Sequence, residues 1–144
     1  MNQRSVMDAR CADIFEFRGG PYDTLLILGH GIGMVETIEG LGHFLSHAKG
    51  LMADDGQMIL DSLDVRVTDR PVDLAYHETN QEAGRYRGEI RMQFEFRGKS
   101  GPYCGWLQVD AETLKDHTQS QGWVYELMHQ ETDGNYLARL RKKE

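Results

Sequence analysis

The chain has 144 residues, with 16 Lys and Arg against 23 Asp and Glu for a net charge of −7. That length suits one compact domain rather than two full-sized ones, and the acidic balance argues against a polyanion-binding surface and so against nucleic acid as a partner. Two cysteines far apart, Cys11 and Cys104, form neither a metal knuckle nor a disulfide framework, no stretch approaches a membrane span, and MNQRSVMDAR lacks a signal-peptide core; the chain reads as cytoplasmic and not membrane-bound.

In chain order, Arg10 to Phe17 (RCADIFEF) reads as a strand followed by a turn, closed by the breaker RGGPYD. Thr24 to Leu28 (TLLIL) is a continuous apolar run of the kind buried on both faces of a parallel sheet. It breaks into Gly29, Gly31 and Gly33. From Val35 to Met52, Ile38, Leu41, Leu45, Ala48, Leu51 and Met52 recur at helical steps and predict a helix. ADDG at Ala53 to Gly56 reads as a turn, and QMIL at Gln57 to Leu60 as a second buried strand. Strand, helix, strand over this span implies a right-handed crossover between parallel strands.

The second half changes character. GEIRMQFEFR, Gly88 to Arg97, alternates Ile90, Met92, Phe94 and Phe96 with polar residues, and GKSG (98–101) turns it into Tyr103 to Val109, an antiparallel hairpin with one wet face. Asp110 caps a helix from Ala111 to Gln121 with Leu114 inward and Gly122 as its stop. Trp123 to Gln130 and Asn135 to Arg141 flank ETDGN as a closing hairpin. The whole is an α/β domain whose sheet is parallel at one edge and antiparallel at the other. The basic group Arg139, Arg141, Lys142 and Lys143 reads as a solvated strand end or tail.

Taken alone, the glycines decide little. A dinucleotide fingerprint needs Gly-x-Gly-x-x-Gly, and its third glycine would fall at Met34. The spacing of an S-adenosylmethionine loop matches better, but Ile27 stands where that loop carries an acid.

A wider resemblance is more specific. YDTLLILGHGIGMVETIEGLGHFLSHAKGLMADDGQMILDSLDVR resembles the second half of class I S-adenosylmethionine-dependent methyltransferases: a strand, a Gly-rich turn, a helix, "gLLapGGqlll" and a strand ending in "dssD". RCADIF resembles the preceding strand with its adenine-contacting acid, and GWLQVDAETLKDHTQSQGW the late helix before the final hairpin. The resemblance covers nearly the whole chain and implies a partial Rossmann-like sheet with an antiparallel C-terminal hairpin and an inserted hairpin at about residues 86–109.

By that alignment the family's first two strands, its main cofactor loop and the ribose-binding acid would precede Met1. The resemblance therefore implies a single truncated domain, 1–144, whose methyl transfer is impaired when the chain is isolated. Contacts to the methionine carboxylate and ribose are worth roughly 1.5 to 3 kcal/mol each, so S-adenosylmethionine is expected to bind weakly or not at all.

By the same resemblance Asp13 would accept from the adenine amino group between Ile14 and Phe15, and Gly29 and Gly31 would border the methionine part. His30, at a strand's carboxyl end, is the candidate catalytic base, with an uncommitted loop histidine as the simpler alternative. Asp61 and Asp64 are candidates for a substrate wall, against a solvated strand exit. Tyr103 and Trp106, with Tyr86, are candidates for a substrate lid, against plain packing on the sheet. His43 and His47, one helical turn apart, lack a third ligand fixed by spacing, so no metal is assigned.

Two other readings stay open: a non-catalytic interaction domain that dimerises through an exposed sheet edge, and a Rossmann-like nucleotide-binding unit using Gly29 to Gly33. The segment RCADIF is expected to pair directly with Thr24 to Leu28, or that strand to dimerise. The methyl acceptor is unidentified, with a small molecule favoured.

Overall fold

The TLLIL run forms β1 (Tyr22–Ile27), and the helical periodicity that follows forms α1 (Ile38–Leu51), capped by Thr37, whose hydroxyl accepts the Gly40 N–H at 3.0 Å. The computed structural model describes residues 7–143. α1 runs directly into β2 (Met52–Leu63), parallel to β1, so the expected crossover is present. Then come α2 (Pro71–Glu82), β3 (Glu89–Phe96), β4 (Lys99–Leu107), α3 (Ala111–Ser120), β5 (Trp123–Gln130) and β6 (Asn135–Lys142). The main sheet has the order β1-β2-β6-β5, parallel only between β1 and β2; β3 and β4 form a separate two-stranded sheet.

Partner residues across a sheet share a face. Leu25 and Ile27 of β1, Met58 and Leu60 of β2, Ala138 and Leu140 of β6 and Trp123 of β5 meet Leu41, Phe44, Leu45 and Ala48 of α1 and Leu114 of α3 in one apolar cluster. α3 starts where predicted: the Asp110 carboxylate accepts the Thr113 N–H at 3.0 Å, and Gly122 follows in the left-handed region at φ +74°.

Three expectations need correction. Arg10 to Phe17 is no strand. The Asp13 carboxylate accepts the Phe15 N–H at 2.7 Å while its carbonyl accepts from Glu16 and Phe17, so the N–H groups a ladder would use are taken by a local turn. Consequently β1 pairs with β2 alone among the described residues, and the expected pairing with RCADIF is not formed. ADDG is not a free turn but a bulge within β2: between the Tyr22/Met52 and Thr24/Gln57 pairs β1 advances two residues and β2 five.

The hairpin turn is tighter than the GKSG expectation. Arg97 and Gly98 form it alone, at φ 50° and 72°, with Phe96 opposite Lys99. Helix α2 has no counterpart in the sequence reading, because its inward residues are His77 and Asn80 and no apolar stripe marks it. The C-terminal basic residues are tied down rather than free: Arg139 and Arg141 pair with Glu126, and Lys142 donates to the Met52 carbonyl at 2.8 Å.

Candidate functional site

The carboxyl ends of β1 and β2 lie side by side, as parallel pairing requires, and this is where the fold gathers polar side chains. β1 leaves through Gly29 and His30, both with positive φ (70° and 55°), into a 3-10 turn over Gly31–Val35. A non-glycine residue in that region is uncommon and is held by its surroundings. The His30 N–H donates to Asp61 Oδ1 at 3.1 Å, its Nε2 lies 2.9 Å from Asn135 Oδ1, and its Nδ1 lies 3.5 Å from Gln108 Nε2. Taken together, these contacts suit a neutral imidazole that donates from Nε2 and accepts at Nδ1.

Asn135 is itself held by Asp133, which accepts from its backbone and side-chain N–H groups at 3.0 and 2.9 Å. Those two bonds keep the Asp133 carboxyl below its ordinary range.

Below β2, Asp64 is buried and receives Arg66 in a two-pronged pair, Nε to Oδ1 at 2.8 Å and Nη2 to Oδ2 at 2.7 Å. The same guanidinium lies 3.2 Å from Asp110, and its pKa is raised, chiefly by the bond to Asp64. Burial pushes the Asp110 carboxyl upward, but bonds from Tyr86 and Thr113 and the Arg66 charge outweigh it and hold the group below its usual value. Tyr86 donates to Asp110 at 2.6 Å and accepts the Asp110 N–H at 3.0 Å, so it ties the start of α3 to the segment before β3.

Between the end of β2, α2 and the base of β3 lies a cleft of about 410 Å³. Val65, Val67 and Ile90 supply apolar wall, and Thr68, His77 and Gln108 polar wall. Gln108 reaches both the cleft and His30, which joins the strand-end cluster to the cavity.

The structure thus brings together Gly29, His30, Gly31 and Asp61, and places Asp64 in the cleft wall. It separates the rest. Asp13 is exposed, and Phe15 lines a shallow depression with Val35, Thr37 and His43. Tyr103 is 63% exposed and faces a second opening beside Tyr76 and Glu89. Trp106 lies against Gly33, where any Cβ would run into its ring. His47 contacts the Phe17 carbonyl at 2.9 Å, and no group of three metal-ligating side chains occurs among the described residues.

The sequence reading missed Gln108, Asn135, Arg66 and His77. Gln108 and Asn135 meet His30 across 78 and 105 residues, contacts no local pattern encodes.

Comparison with solved structures decides what this arrangement resembles. The whole chain superposes on 58% of a S-adenosylmethionine-dependent methyltransferase from Bacteroides fragilis, in complex with S-adenosyl-L-homocysteine, with a TM-score of 0.81 and 28% identity. The chain has the fold of the S-adenosylmethionine-dependent methyltransferases. More distant likenesses agree at the level of fold: DhpI in complex with S-adenosylhomocysteine (TM-score 0.60, 14% identity, 93% of this chain and 54% of that one) and a methyltransferase from Clostridium acetobutylicum (0.57, 7%, 94% and 64%). The sequence matches no family model and no curated protein.

The methyltransferase-like chain spans little more than half the length of these structures and corresponds to their C-terminal half. S-adenosylmethionine is the cofactor of this family. Two features, which the structure does not bring together, leave room for parts of such a nucleoside. Asp13 keeps its second carboxylate oxygen without a partner among the described residues, and Gly29 offers open space where a side chain would stand. No described helix is long and apolar enough to cross a membrane.

Proposed function

We propose that this chain forms the acceptor-side part of a methyltransferase, in which a methyl group passes from S-adenosylmethionine to a small molecule held in the cleft between β2, α2 and β3. The observation that carries this reading is the superposition of the entire chain on a methyltransferase at a TM-score of 0.81 with 28% identity. The cofactor, when bound, supplies an electrophilic methyl on a sulfonium.

The residues of this chain position and enclose. Asp13 accepts from the adenine amino group with Ile14 and Phe15 beside it, and Gly29 and Gly31 let the nucleoside approach the strand end. His30 stands beside the reacting centre. Exchange of its long 3.5 Å contact with Gln108 for an acceptor hydroxyl or amine would free Nδ1 to take a proton. Asp61 fixes the His30 backbone, Asp64 and Arg66 hold the cleft wall, and Trp106 packs the hairpin onto the loop. Tyr103 stands at the hairpin's outer opening, beside Tyr76 and Arg91, which also line the cleft.

A second copy on the open β1 edge is the partner favoured by Leu26, which is 61% exposed on an apolar strand that is paired on one side only among the described residues.

Calorimetric titration with S-adenosylhomocysteine, S-adenosylmethionine and NAD tests the reading. Micromolar binding of S-adenosylhomocysteine with none of NAD supports it. Preferential binding of NAD replaces it with a dinucleotide-binding unit, and no binding of any of the three by the chain in any oligomeric state leaves the interaction-domain reading in its place.

A further inference from the structure

The cleft contains one side chain that the fold itself does not use. His77, on α2, is only 8% exposed and lines the cavity, yet neither ring nitrogen has a hydrogen-bond partner among the described residues. Among the described residues the buried side-chain atoms left without a partner are Trp123 Nε1 and Tyr125 Oη, so the unpaired His77 ring nitrogens reach the open cleft, where a ligand can meet them. Its neighbours on α2 show what structural duty looks like. The Tyr76 hydroxyl accepts the Arg91 N–H at 3.0 Å, and the Asn80 amide donates to the carbonyls of Arg87 and Glu89 at 3.2 and 2.9 Å. These contacts bind α2 to β3 on both sides of His77 and hold the imidazole against open space.

The charges around that space have one dominant sign. Asp73 and Asp133 line the cleft as carboxylates, while Asp64 is neutralised by Arg66. Asp73 accepts from Thr68 at 3.0 Å and, among the described residues, has only the exposed Arg70 at 3.6 Å as a cationic partner. The one arginine in the lining, Arg91, carries its guanidinium over the Tyr103 ring, 5.8 Å from the centroid, on the hairpin side. An anionic ligand would meet repulsion here, and a cationic or strongly donating one would meet acceptors.

We propose that the cleft beside His77 binds a small amine, whose N–H groups donate to the His77 imidazole and to the Asp73 carboxylate while its carbon skeleton lies on Val65, Val67 and Ile90. The volume of about 410 Å³ suits a ligand of small-molecule size rather than a polymer. The assignment deepens the methyltransferase reading by naming the acceptor class, and it rests on that reading only for calling the amine an acceptor.

The test is NMR of the full chain titrated with benzylamine, benzyl alcohol and benzoate, which match in size and differ in charge. The readout is the ring Cε1–H resonance of His77 among the six histidines. It is assigned by its loss in His77→Gln and, should that variant not fold, by through-space contacts to Ile90 in the native chain. The expected result is a saturable shift of His77 with benzylamine, with benzoate at least about tenfold weaker. Equal or tighter binding of benzoate overturns the amine class. Absence of a saturable His77 shift with all three overturns the site. Because no cofactor is present, a chain that binds benzylamine at His77 but no S-adenosylhomocysteine would keep this inference and lose the methyltransferase reading.

Discussion

The two faces of the main sheet both carry apolar β1 side chains and meet opposite environments. On one, Met58, Leu60 and Leu140 are fully buried under α1 and α3. On the other, Leu26 pairs with Ile59 and Ile59 with Arg139, and Leu26 and Val124 remain 61% and 45% exposed. A parallel strand is usually covered on both sides, so β1 has the sequence of a buried strand and the surroundings of an edge. Apolar sequence states what a strand needs, whereas which face is covered depends on the neighbours available to it.

That contrast is open to direct attack, and the largest effect is expected on the covered face. Leu60→Ala should cost about 2–5 kcal/mol in urea unfolding, because it empties a site in a close-packed core. Leu26→Ala should change stability by less than about 0.5 kcal/mol. A comparable loss at both positions would show that the second face is covered in solution, and sizing of the same samples would say by what.

The hairpin's attachment comes next. Gly33→Ala drives a methyl into the Trp106 ring and should cost about 1–3 kcal/mol, with a shift in tryptophan emission as the ring leaves its place. An unchanged melting temperature would mean that the hairpin is not docked on the 3-10 turn.

Asp110 sharpens the comparison through acid sensitivity. Its carboxyl titrates lower in the folded state than in the unfolded chain, so its ionised form stabilises the fold above the unfolded value of about 3.9. That contribution falls away as pH drops through the lower folded-state value. Asp110→Asn should lose about 1–2 kcal/mol at pH 7 and show a flatter decline of stability below about pH 4. Thermal melts between pH 2 and 7 on both proteins decide this, and parallel curves would remove Asp110 from the account. A smaller effect than at Asp110 is expected for Tyr76→Phe, which leaves the Arg91 N–H without its acceptor; a loss of about 0.5–1.5 kcal/mol and faster amide exchange at Arg91 should follow.

The sequence was most legible where local signals agreed. The alternation of GEIRMQFEFR, Asp110 with Leu114 and Gly122, and the pair of runs around ETDGN all appear as expected elements. It was least legible where short polar contacts override propensity, as at Asp13, or where a helix buries polar residues, as α2 does with His77 and Asn80. The candidate site divides the same way. His30 and Asp61 stand out as polar residues at strand ends, but Gln108 and Asn135, which hold the His30 ring, sit in strand-end positions that nothing local distinguishes.

By itself, the sequence determined periodicity, caps and turns, and with them an α/β crossover followed by antiparallel strands, because those signals act over a few residues. Only the tertiary structure decided which face of the sheet is covered, that RCADIFEF leaves the sheet, and that an unpaired histidine faces a cleft. Each of those depends on groups tens of residues apart competing for the same surface or the same hydrogen bond, and that competition is settled only when the chain has folded.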